Sequence, residues 1–180
     1  MILKRYQIAI LSFAFGIVTI TFILGHVIRQ KELKEVYNQP TYRSTVIKVF
    51  FSNTTEDPGI LYCERTYPVE REVSRLSDNE KSELGEFLYL AIAELLEGLT
   101  SDEIEKGFFT SINPGTKVGN IMLEEGIVKV DFNERLNEGV AGSCKVQAIR
   151  SQITETLKQF PEVKEVVISV NGESETILQP

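Results

Sequence analysis

Gly139–Pro161, GVAGSCKVQAIRSQITETLKQFP, decides the fold. Val146, Ile149, Ile153, Leu157 and Phe160 follow at intervals of 3, 4, 4 and 3, one apolar stripe on a helix. Glycines loosen the chain ahead of it, Ser143 suits the N-cap, and Pro161 cannot continue the helix. The strand that follows, Val163–Val170, lines up Val166, Ile168 and Val170 on one face. A helix with one apolar stripe followed directly by a half-polar strand calls for helix packed on sheet.

Upstream, Thr45–Phe51 alternates as a strand with Ile47, Val49 and Phe51 on one face, and Thr66–Val73 as a second whose Pro68 demotes it to an edge. Asp78 or Asn79 opens a helix with the stripe Leu84, Phe87, Leu88, Ala91, Leu95 and Leu99, and Gly98 fits its C-cap. Gly85 inside it suggests a close backbone approach. Asn113-Pro-Gly-Thr116 has the composition of a type II turn. Lys117–Leu123 and Ile127–Phe132 flank a three-residue hairpin loop, Glu124–Gly126. Asn171-Gly172 is a turn, and Glu173–Pro180 a short tail or closing strand. The expected fold class is α+β: a two-layer sandwich of a mixed β-sheet with two helices on one face, over residues 45–172.

Ile8–Ile28 contains 21 residues without Asp, Glu, Lys or Arg. As a helix it spans about 31 Å, one hydrocarbon core. No A-x-A pattern follows, which favours an uncleaved signal-anchor over a secretory signal. Residues 1–7 then form a short N-terminus and 29–44 a juxtamembrane tether. His26, the one histidine, reads as an interfacial residue. Five basic and two acidic residues leave 1–35 at net +3; the other fourteen basic and twenty-four acidic residues leave the rest at −10. An acidic body does not suit nucleic acid, whose phosphates need a basic face.

Carboxylates at Glu124, Glu125, Asp131, Glu134 and Glu138 sit at a hairpin tip and in a loop, where acidic residues are ordinarily solvated; paired acid/base catalysis needs two in one cleft. One histidine and two cysteines are too few for a structural zinc site, and there is no P-loop, G-x-G-x-x-G or G-x-S-x-G. No catalytic residue, metal ligand or cofactor is assigned. The candidate binding surface is the backbone-exposing loops, Asn113, Gly115 and Thr116 with Gly142 and Ser143, supplemented by the charges of Arg71 and Arg150. A helix start at Ser143 offers free N–H donors to an anionic group.

Several stretches in this order carry a family resemblance: IKVFF (Ile47–Phe51), PVEREV (Pro68–Val73), FFTSINPGT (Phe108–Thr116), GIVKVDF (Gly126–Phe132), VAGSC (Val140–Cys144) and QITETLKQFPEVKEVVISVNG (Gln152–Gly172). Together they resemble the GerMN domain, the module of spore germination and sporulation proteins. The resemblance implies an extracytoplasmic α+β domain, similar to the ring-building modules of sporulation secretion machinery, that mediates interaction rather than catalysis.

Cys63 and Cys144 are the two cysteines. Outside the cytoplasm such a pair is expected to be oxidised, which places the N-terminus of the anchor in the cytoplasm; in the cytosol both would remain thiols. Closing the 81-residue separation stabilises by roughly 4–5 kcal/mol on the chain-entropy account. Buried free thiols, or a reactive thiolate at a helix N-terminus, are the alternatives. The expectation is a membrane-anchored, extracytoplasmic interaction module of the bacterial cell envelope, binding itself, envelope proteins or peptidoglycan. The alternative is a peptidoglycan or small-ligand sensor, or a cell-wall hydrolase.

Overall fold

The structure, a computed structural model, describes residues 21–31, 42–76 and 83–179 of the 180-residue chain. The chain divides into two compact units, Met1–Thr41 and Tyr42–Pro180. Of the first, residues 21–31 are helical (α1). Most of the expected anchor and tether therefore lies outside the described residues, and among those described no helix is long and apolar enough to cross a membrane.

The second unit runs β1 (Tyr42–Asn53), β2 (Tyr67–Leu76), α2 (Glu83–Glu97), α3 (Ser101–Glu105), β3 (Phe108–Phe109), β4 (Val118–Glu124), β5 (Ile127–Phe132), a 3-10 turn (Glu134–Leu136), α4 (Ser143–Lys158) and β6 (Glu165–Val170). The α+β class holds, but the single mixed sheet does not. Two three-stranded sheets form instead, ordered β2-β1-β3 and β4-β5-β6. The first is antiparallel; in the second, β5 pairs antiparallel with β4 and parallel with β6.

The reason for the division lies on α4. β3 reaches β1 only at Ser52 and Asn53. Further back along that edge the partners are side chains of α4: Thr156 Oγ1 accepts from the Phe50 N–H at 3.0 Å, and Gln159 holds both main-chain groups of Lys48. A helix thus stands where a linking strand would lie. Gln152 extends the row: fully buried, it accepts from the Thr110 hydroxyl at 2.9 Å and donates to Ser52 Oγ at 3.1 Å. Buried polar groups persist only when bonded in this way.

Beside this row on α4 runs the expected stripe. Val146, Ile149, Ile153 and Leu157 are buried and Phe160 half-buried, packing with Leu88, Ile92 and Leu95 of α2 and with Val128, Val130 and Phe132 of β5 in one core. The smaller cluster Ile47, Val73 and Ala91 ties β1 and β2 to α2.

Several boundaries differ from expectation. β1 begins at Tyr42 rather than Thr45. Gly142, not Ser143, is the N-cap of α4, with φ +89° and no side-chain cap; Ser143 is the first helical residue. The β4–β5 hairpin turns on two residues, Glu125 and Gly126, both at positive φ, because Glu124 still pairs with Ile127. Two central residues at positive φ give a turn whose twist matches that of the strands it joins. The supposed tail belongs to the body: Ile177 and Leu178 are buried, and the Leu178 N–H donates to Asn137 Oδ1 at 2.8 Å. Among the described residues none would come within 4 Å of a side-chain carbon at Gly85, so no close contact among them requires that glycine.

Candidate functional site

The two loops read as a binding surface meet at the N-terminal end of α4. Asn113 is their hub. Its amide nitrogen donates to the carbonyls of Arg135 and Glu138, both at 2.8 Å, and its Oδ1 accepts from Lys145 Nζ at 3.0 Å. Gly115 takes the positive φ, +81°, that the turn demands. The buried Thr116 donates from its hydroxyl to the Asn113 carbonyl at 2.7 Å. Asn133 braces the far side, accepting from the Lys117 N–H at 3.0 Å and donating to the Gly115 carbonyl at 3.1 Å. The loop's polar atoms are bonded inward, which makes it a rigid brace.

Gly142 and Ser143 line a shallow depression of about 500 Å³ with Ile60, Phe109, Ser111 and Lys145. Its wall is covalent. Cys63 and Cys144 form a disulfide, Cα atoms 5.0 Å apart, which pins the β1–β2 loop to the first turn of α4. Within that loop Ile60, Leu61 and Tyr62 are exposed, and the Arg65 guanidinium lies 4.2 Å from the Tyr62 ring centroid. The depression combines apolar surface with serine hydroxyls and one ammonium group. Its lining, among the described residues, holds no carboxylate or imidazole to serve as a base.

Arg71 and Arg150 are elsewhere. Arg71, on β2, grips Glu103 of α3 through both terminal guanidinium nitrogens, the Nη2–Oε2 contact at 2.7 Å, and donates from Nη2 to the Gly98 carbonyl at 3.1 Å. Glu103 also accepts from the Thr100 N–H at 2.9 Å. The bond from Arg71 holds the Glu103 carboxyl below the usual carboxylate range, and the same bond raises Arg71, each against the opposing effect of burial. This is a structural clasp between β2 and the α2–α3 corner. Arg150 donates to the Ile177 carbonyl at 3.2 Å and so holds the C-terminal segment.

Among the acidic candidates, Asp131 accepts from the Ser169 hydroxyl at 2.6 Å and the Gly172 N–H at 2.8 Å, Glu124 pairs with Lys129 at 2.9 Å, and Glu138 pairs with Arg135. They are dispersed. Among the described residues no three or more of His, Cys, Asp and Glu are grouped to hold a metal ion. The structure thus brings together Asn113, Gly115, Thr116, Gly142 and Ser143, and leaves Arg71 and Arg150 out. The sequence reading passed over Lys145 and the polar row Gln152, Thr156 and Gln159; the row's spacing of 4 and 3 was its only visible signal.

The family described as "Sporulation and spore germination", Germane, matches residues 48–176. No curated protein matches the chain. Among solved structures, the chain is similar to the first GerMN domain of the sporulation protein GerM from Bacillus subtilis, at 18% identity and TM-score 0.43 over 72% of this chain and 85% of that one. The tandem GerMN domains of GerM align at 18% identity and TM-score 0.47, over 76% of this chain and 43% of that one. A protein described as a lipoprotein from Clostridium perfringens aligns at 18% identity and TM-score 0.42, over 75% and 80%. The family match spans most of the chain, from within β1 to the packed C-terminal segment, and the protein belongs to the Germane family of sporulation and spore germination domains.

Proposed function

We propose that the body beginning at Tyr42 is a non-catalytic interaction module of the bacterial cell envelope, held outside the cytoplasm by a membrane-spanning helix over Ile8–Ile28 and acting in sporulation or germination. The Cys63–Cys144 disulfide carries the reading, because such bonds persist in oxidising compartments and are rare in the cytosol. The run of 21 residues without Asp, Glu, Lys or Arg supports the anchor, and membership of the family supports the process. The candidate loops support a bracing rather than a chemical role for this end of α4, since their polar groups bond to one another. The partner is a protein: the module's own copies or another envelope component.

The test uses the full chain in its cells. Protoplasts treated with a membrane-impermeant protease lose the body without lysis on this reading; protection until lysis contradicts it. Incubating the purified full chain with isolated peptidoglycan separates module from hydrolase. No release of soluble sugar–peptide fragments is expected, and release would favour the hydrolase.

A further inference from the structure

The two long edges of the β2-β1-β3 sheet are treated differently. In β1 the main-chain groups of Lys48 and Phe50 face α4, so alternation turns those of Ile47 and Val49 to β2. Pro68, opposite Phe50, therefore lies where its missing N–H falls on the outer edge of β2, and the exposed residues Glu70 and Glu72 follow it at alternate positions along that edge. Proline and charge are the usual means of blunting a strand edge. β1's other edge is closed by β3, Thr156 and Gln159 only as far back as Lys48.

The same alternation puts the N–H and C=O of Val46 on that edge, and no described residue bonds them. Beside them runs a groove of about 440 Å³, lined by Val46, Leu84, Phe87, Gln159, Phe160 and Glu162 among others. Phe87 and Phe160 stack with ring centroids 6.5 Å apart. Glu162 is the one ionised side chain among the described residues that line it.

The geometry points to a docking site for an extended segment of a partner protein, which adds as a strand to β1 at Val46 where the amide of Gln159 ends the intramolecular pairing. The edge supplies one donor and one acceptor per alternate residue, and the aromatic groove beside it takes an apolar side chain. Glu162 favours a basic residue next to that side chain. This names the surface through which the proposed interaction module binds, and rests on that reading. Protease access reports compartment and the experiment below reports this edge, so the two fail separately.

The experiment is an NMR titration of the isotope-labelled full chain in detergent micelles. The probe is a pool of short acetylated peptides alternating lysine with valine, leucine or phenylalanine. Shifts at the Val46 amide, the Gln159 side-chain amide and the Phe87 and Phe160 rings are expected. Methylating the peptide amides that face β1 should weaken binding by about tenfold, the loss of one or two main-chain bonds, whereas methylating the alternate amides should leave it intact. Val46→Pro removes the donor. Should that variant fold poorly, Glu162→Lys at the exposed rim tests the same point, reducing affinity for the basic pool and increasing it for a glutamate-containing one. No perturbation at Val46, equal effects of the two methylation patterns, or perturbation confined to the Ile60–Ser143 depression overturns the proposal. So does a Val46 shift that grows with protein concentration without peptide, which would assign the edge to self-pairing.

Discussion

The side-chain amide of Gln159 takes the place of a neighbouring strand for Lys48, accepting from its N–H at 2.7 Å and donating to its carbonyl at 2.6 Å. Two bonds of this kind, partly exposed, are worth about 1–2 kcal/mol in all. Gln159→Leu is therefore expected to lower unfolding free energy by that amount in urea titration, while Gln159→Glu, which keeps the acceptor oxygens and loses the donor, falls between. No loss in either variant would mean that water serves Lys48 equally well.

The clasp between Arg71 and Glu103 gives stability a specific pH dependence. The folded-state pKa of Glu103 lies below its ordinary 4.5, chiefly through the bond from Arg71. The unfolded chain then takes up that proton first as pH falls. The contribution is complete above about pH 5 and is lost as pH drops from the ordinary value through the lowered one. Arg71, itself raised, stays charged throughout. Glu103→Gln should flatten this part of the acid limb of urea midpoint against pH and cost roughly 2 kcal/mol at neutral pH. An unchanged acid limb would contradict the clasp.

Leu178 tests where the domain ends. It is 1% exposed and packs in the main core, and Asn137 accepts a hydrogen bond from its N–H. Leu178→Ala is expected to cost about 2–5 kcal/mol, as for a buried leucine elsewhere. A change within about 0.5 kcal/mol, the range of ordinary surface substitutions, would return the segment to a loose tail.

These residues also mark what sequence can carry. The α4 stripe, the Asn113–Thr116 turn and the edge character of β2 were legible because each depends on neighbours a few residues apart. Gln159 and Lys48 are separated by 111 positions, and Arg71 and Glu103 by 32. A polar residue on a helix carries no local sign of which strand it will meet. The same gap explains the sheet: each strand could be read, but the division into two sheets follows from α4 occupying β1's edge. Of the site, Asn113, Gly115, Thr116, Gly142 and Ser143 were found as loop residues, whereas Lys145, which joins the two loops, carries no local sign of a partner 32 positions away.

The loop–helix link from Cys63 to Cys144 should matter to stability beyond its immediate contacts. Cys63→Ser with Cys144→Ser is expected to destabilise by about 4–5 kcal/mol, because the open chain regains the entropy of an 81-residue loop. Equal denaturation midpoints for the variant and the oxidised parent would show that α4 and the β1–β2 loop hold their places without the bond.

The state of those two sulfurs in the cell bears most directly on an extracytoplasmic module. Protein taken from intact cells into acid, then alkylated with a mass-tagged maleimide before and after reduction, should add no tags before reduction and two after it. Two tags before reduction would place the body in a reducing compartment and contradict the account.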